Sequence, residues 1–215
     1  MSDKRLRIPH EDVRLTADEI EITQTRTFQR LFDLKQLGLA YLVYPNATHS
    51  RAVHSIRCVG EAAKILAGLK ANAVSISKED EATVRIAALL HDIGHIPFSH
   101  TLEDEHQILS KHDRPKRLNR VLEMLKAELP PSQARLIDKA TPILFAIAGA
   151  EPEKYPQSWR SDLVGNTVCA DLLAYIIADA EAAGIEKRSG HYRTALSENR
   201  CCIKQPELRG FRSVG

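Results

Sequence analysis

The chain is poor in aromatic residues: Phe, Tyr and Trp together make up 5% of its 215 positions. Strands favour aromatic and β-branched side chains, so this shortage argues against a sheet and leaves Ala, Leu and Ile to build a helical core. Cysteine is scarce as well. Cys58, Cys169, Cys201 and Cys202 show no CxxC spacing of the kind that holds zinc, and they read as reduced cytosolic thiols, two of them in the core. No long hydrophobic run is present either. The most apolar stretch, 142–150, is too short to span a bilayer, and the charged residues 1–7 are not followed by the apolar segment of a secretory signal. A cytoplasmic protein without a membrane partner is expected. Charge of one sign is not in strong excess: the net charge is +2 and the pI about 8.3. That is too mild to argue for stable nucleic-acid binding, although local basic residues can still hold a small anion.

What remains is ordinary globular composition, 43% hydrophobic and 27% charged. It suits one domain with a real core and is too short for a second complete one. Apolar residues recur at helical spacing over 17–34, with Ile20, Ile22, Phe28, Leu31 and Phe32 as candidate buried positions. Gln36-Leu37-Gly38 interrupts the pattern, and 39–44 reads as a short extended piece closed by Pro45 and Asn46. Helices are expected over 50–69 and 77–92, the second opened by Ser77-x-x-Asp80 and stopped before Gly94. Another should begin near Pro97, followed by helices over 116–129, 132–148 and 161–183. The fold class is therefore all-α, a helical bundle with little or no strand. Residues 1–185 form the domain, and 186–215 form a tail without readable periodicity.

Seven of the nine histidines fall between His49 and His112. For any one of them a structural role is the simpler reading, but the cluster as a group points to a site. In His91-Asp92-Ile93-Gly94-His95, the apolar run Ile86-Ala87-Ala88-Leu89-Leu90 carries His91 and Asp92 to the end of a core helix. A polar pair is costly there unless satisfied. At the last turn both side chains can reach one ion lying off the helix end, and imidazole plus carboxylate suits Zn, Mn or Fe. The alternative is a hydrogen-bonded pair that merely closes a helix, and the bare dipeptide does not separate the two. Asp171, Tyr175 and Asp179 recur at four-residue steps and share one helix face. They form a polar stripe among Leu172, Leu173, Ile176 and Ile177. Arg51 lies one turn before His54, so a guanidinium and an imidazole can face one cleft.

The setting of these residues is more specific than the dipeptide. Thr48-His49-Ser50-Arg51-Ala52-Val53-His54-Ser55 lies one helix earlier, and His91-Asp92-Ile93-Gly94-His95-Ile96-Pro97-Phe98-Ser99-His100 follows. With Phe28-Gln29-Arg30-Leu31, Lys35-Gln36-Leu37-Gly38 and Cys169-Ala170-Asp171-Leu172-Leu173-Ala174-Tyr175, the order resembles the HD-domain phosphohydrolase superfamily. Within it, the chain resembles the dNTP triphosphohydrolase-like branch that includes the sterile-alpha-motif/HD enzymes. The resemblance runs over about 20–185 and implies an HD-domain bundle. It implies a divalent metal ion (Mn, Fe, Zn, Ni, Co or Mg) held by His54, His91, Asp92 and Asp171. It also implies substrate contacts from Gln36, Arg51, His100, Tyr175 and Asp179, and proton transfer by His95, Glu103 or His112. His106 and His49 are left as structural or exposed. The reaction implied is attack of metal-activated water on the α-phosphorus of a deoxynucleoside triphosphate, and the family's habit of assembling suggests a homo-oligomer.

Two departures bear on the substrate. Leu172 follows the last implied ligand, where the triphosphohydrolases commonly place a basic residue that grips the outer phosphates. The related enzymes also continue well beyond Gly184, so the chain reads either as a compact variant or as a truncated form. Three readings stay open: a dNTP hydrolase; an HD hydrolase for another phosphate ester, such as a nucleoside monophosphate, a cyclic dinucleotide or guanosine tetraphosphate; and a non-catalytic nucleotide-binding HD module.

Overall fold

The first described element is a hairpin. In the computed structural model, which describes residues 4–8, 11–98, 100, 102–103, 108 and 111–184, strands β1 (Lys4–Ile8) and β2 (Glu11–Leu15) pair antiparallel from Lys4 opposite Leu15 to Ile8 opposite Glu11. Val13 and Leu15 are buried while Asp12 and Arg14 face outward. This is the period-two alternation of a ribbon with one face on the core. An isolated bridge between Lys35 and Ser50 is the other strand-like pairing among the described residues.

The single helix expected over 17–34 is broken in two. Helix α1 (Ala17–Gln24) opens with a capping box between Thr16 and Glu19. It stops at Thr25, whose backbone is extended and whose hydroxyl donates to the Ile22 carbonyl. The same Oγ1 accepts from the Phe28 N–H and starts α2 (Arg26–Gln29). A threonine side chain that serves both helix ends competes with the helical backbone, and here it wins. A 3-10 turn follows at Arg30–Phe32. Residues 39–44 are not extended. Ala40–Leu42 is a second 3-10 turn, because the N–H groups of Leu42, Val43 and Tyr44 find carbonyls within the same segment.

Helix α3 (Arg51–Ala71) starts at Ser50, whose hydroxyl accepts from Val53 N–H. Helix α4 (Lys78–Leu90) starts at Ser77 in the same way, with Asp80 as donor. Helices α5 (Pro115–Ala127) and α6 (Pro131–Ile147) each carry proline in the first turn, where a missing N–H costs nothing. The helix expected over 161–183 is two: α7 (Trp159–Val164) and α8 (Ala170–Ala182). The break falls at Gly165, where a Cβ would lie 2.7 Å from Ile147 Cγ2, so the chain passes close to α6 before Cys169 caps α8.

Val84 and the run Ile86 to Leu90 are buried, so α4 is the central rod of the bundle. It packs against α3, α6 and α7, and α3 packs in turn on α8. The C-terminal end of α4 therefore meets the first turns of α3 and α8, and a site built from all three is positioned by core packing. Cys58 and Cys169 are buried free thiols. No described helix is long and apolar enough to cross a membrane. The helix expected from Pro97 onward falls largely outside the described residues, as do His106 and the tail 186–215.

Candidate metal centre

Four side chains from three helices converge at the end of α4. His54 Nε2 lies 3.2 Å from His91 Nε2 and 3.0 Å from Asp171 Oδ1. Asp171 Oδ1 is 3.5 Å from His91 Nε2, Asp92 Oδ1 is also 3.5 Å from that nitrogen, and Asp92 Oδ2 is 3.8 Å from His54 Nε2. The N-terminus of α8, with its positive dipole end, is a favourable place for the Asp171 carboxylate.

The donor chemistry suits a cation. His91 Nδ1 lies 2.8 Å from the Ala88 carbonyl, which can only accept, so Nδ1 carries a proton and Nε2 is the nitrogen turned to the cluster. Burial works to lower the basicity of His91, yet Asp92, Cys58 and Asp171 hold its pKa well above the ordinary value. Burial likewise works to raise Asp92, and His91, His95 and Arg51 hold that carboxyl well below the usual range. Asp171 is also lowered, by His54 and His91 against its own desolvation. A pocket that favours a proton this strongly also favours a metal ion, and the donor atoms of His54, His91 and Asp92 lie within 4.8 Å of one another. These residues could hold a metal.

Arg51 is 1% exposed and donates to Asp92 Oδ2 at 2.5 Å. Its backbone N–H bonds to the Leu34 carbonyl, and Gln36 N–H bonds to the His49 carbonyl, which pins the base of the 36–49 loop beside α3. Arg51 also reaches the Gln36 carbonyl at 3.4 Å, and Gln36 Oε1 is buried without a hydrogen-bond partner. Arg30 opens the 3-10 turn that follows α2. Its guanidinium donates to the carbonyls of Ile93 and His95 and so holds the turn that leaves the metal pair.

A second histidine group adjoins the first. His95 Nε2 is 3.3 Å from Asp92 Oδ1, and its ring stacks on that of His112 with centroids 3.5 Å apart. His100 packs edge-on against both. Burial pushes His95 down to about 4, against the pull of Asp92. His112 Nδ1 donates to Glu103 Oε2 at 2.9 Å, and Arg117 donates to Glu103 Oε1 at 3.1 Å. Burial works to raise Glu103, and the hydrogen bonds and charge of His112 hold it below the ordinary carboxylate range. His91, Asp92, His95, His100, His112 and Asp171 line a cleft of about 170 Å³, whose wall also includes Leu118, Leu144 and Ile147.

Tyr175 lies further along the same face of α8, its ring centroid 6.5 Å from that of His54. Asp179 Oδ1 is 2.9 Å from His49 Nε2. His49 thus joins the polar stripe of α8 rather than standing apart from it. Nothing in its spacing reveals this, because the contact depends on the loop pinned at Gln36.

The four converging side chains lie within the stretch that matches known proteins. The family model for the HD domain covers residues 51–182, more than half of the chain. The chain belongs to the HD domain family. An uncharacterized protein of Mycoplasma pneumoniae is 30% identical over 189 residues, which is 84% of this chain and 43% of that protein. The deoxynucleoside triphosphate triphosphohydrolase SAMHD1 of Homo sapiens is 42% identical over 97 residues, 44% of this chain and 15% of SAMHD1. Among solved structures, a phosphohydrolase of Bacteroides thetaiotaomicron superimposes with a TM-score of 0.71 at 27% identity, covering 86% of this chain and 44% of that one. This HD-domain chain spans less than half the length of each of the three.

Proposed function

We propose that this HD-domain chain is a metal-dependent phosphohydrolase acting on a nucleotide, with a deoxynucleoside triphosphate cleaved at its α-phosphorus as the leading substrate. The observation that carries the reading is the convergence of His54, His91, Asp92 and Asp171 on one spot at the edge of a cleft. The similarity of the HD region to SAMHD1 supports the choice of substrate. His54, His91, Asp92 and Asp171 would hold the ion, one of Mn, Fe, Zn, Ni, Co or Mg. Such an ion, when bound, supplies a Lewis acid that polarises a phosphoryl oxygen and acidifies water.

The remaining roles fall to the chain's own groups. Arg51 and His100 neutralise phosphate charge, and Gln36, Tyr175 and Asp179 hold the sugar, now with His49 beside Asp179. Three residues are candidates for proton delivery. Glu103 is held below the carboxylate range and stays ionised near neutrality, and His95, at about 4, is neutral there. His112, gripped at Nδ1 by Glu103, is the group that hands a proton to the leaving oxygen, from Nε2 when the ring carries a proton on both nitrogens. Assembly into a homo-oligomer accompanies this reading, as the sequence resemblance implies.

Leu172 favours a second reading, an HD hydrolase for a different phosphate ester, since it leaves the start of α8 without the basic residue that grips outer phosphates. A panel of deoxynucleoside mono- and triphosphates, cyclic dinucleotides and guanosine tetraphosphate, assayed with each metal, separates the two. Triphosphate release from a dNTP, lost in Asp92→Ala and His54→Ala, supports the first reading. Turnover that survives both substitutions refutes the assigned site.

A further inference from the structure

We infer that Arg117, on the first turn of α5, is a positioning residue that fixes how His112 presents itself to the cleft. The inference rests on the role proposed above for His112 and adds a residue that neither the sequence pattern nor the comparisons assign. Three groups are joined in a chain. The Glu103 side chain is 1% exposed, and each of its oxygens has a distinct partner: Oε2 takes His112 Nδ1 and Oε1 takes Arg117. A carboxylate can only accept, so Nδ1 of His112 must carry a proton, and Nε2 is the nitrogen left for the substrate. The ring plane is set by stacking on His95, with an interplanar angle of 20°.

Arg117 is itself held by its backbone. Pro115 opens the helix, and Arg117 N–H bonds to the Arg114 carbonyl at 2.9 Å. The guanidinium is therefore delivered from a rigid turn only five residues after His112. Its bond to Oε1 stops the buried carboxylate from rotating, which keeps Oε2 on His112. The alternative effect of the same bond is to offset a negative charge beside a cleft that must admit phosphate. The first effect concerns orientation and the second charge, and they can be told apart. Loss of orientation lowers kcat. Loss of charge balance alone weakens binding of an anion and raises KM.

The experiment combines turnover with the tautomer of His112, read by two-bond 1H–15N spectra of protein labelled at histidine. The His112 signal is identified by its absence in His112→Asn. In the native protein His112 shows Nδ1–H. Arg117→Ala gives a mixture of tautomers and a kcat at least tenfold lower, with KM within twofold, while Arg117→Lys restores the native tautomer and most of kcat. Should Arg117→Ala fail to fold, Arg117→Gln is read by the same criteria. A tautomer that shifts without loss of kcat, a kcat that falls without a shift, or a rise in KM alone overturns the inference. If native protein hydrolyses none of the nucleotides, the hydrolase reading fails, and the spectra alone decide whether Arg117 orients His112.

Discussion

Gly94 lies directly beneath the carbonyl of His112: a methyl group at position 94 would come within 2.2 Å of that oxygen. The glycine thus admits the backbone that carries His112 over His95. Overpacking a tight contact costs about 1–3 kcal/mol, so Gly94→Ala should lower the urea midpoint by a corresponding amount. It should also reduce turnover more than tenfold, because the displaced segment is the one that bears His112. Native turnover in Gly94→Ala would mean that the stacked histidines are not part of the chemistry.

Arg30 should matter for the same reason from the other side. Arg30→Ala removes both bonds to the carbonyls of Ile93 and His95. Amide exchange of residues 93–95 should accelerate severalfold relative to the α4 core, and kcat should fall with it. Unchanged exchange in that turn would show that core packing alone holds it.

A purely structural ion pair gives a contrasting outcome. Arg85 reaches Glu19 with two nitrogens at 2.6 and 2.7 Å, and Glu19 is 1% exposed. Removing one partner of a buried pair costs roughly 3–5 kcal/mol, so Arg85→Ala should be strongly destabilised in urea. Its kcat at a temperature where it is folded should stay near native. A drop of under 1 kcal/mol would mean that Glu19 finds other partners.

Acid should weaken the metal-stripped protein through His95. Its folded-state pKa is depressed to about 4 by burial. The unfolded chain therefore binds a proton first, near the ordinary imidazole value of about 6.5. The stabilisation is complete above that value and is lost as pH falls toward 4, roughly 3 kcal/mol across the window if burial persists. His95→Asn should flatten this part of the profile in urea titrations from pH 7 to 4.5. A profile of equal slope in the variant would assign the acid sensitivity to other groups.

Some of this was legible in the chain itself. Helices α3 to α6 follow from Ser50 and Ser77 as caps, prolines at the first turns, and apolar residues every three to four positions. Local chemistry misled where one side chain served two purposes. Thr25 closes one helix and opens the next, and Gly165 permits a close pass against Ile147, and neither event leaves a periodic trace. The hairpin was missed because its alternation is short and rich in charge. His54, His91, Asp92 and Asp171 were all named from the motif order, and the structure brings the two imidazoles within 4 Å of each other and of both carboxylates. Arg117 was not named and His49 was left as structural or exposed, because their partners lie 14 and 130 residues away and only the fold joins them.

Metal content tests the centre most directly. Purified protein, stripped and reloaded with Mn, Fe, Co, Ni, Zn or Mg in turn, should retain about one equivalent of at least one ion by elemental analysis, and Asp171→Ala and His54→Ala should retain far less. Native protein that binds none of these ions, or an Asp171→Ala variant that binds as fully as native, would contradict the account.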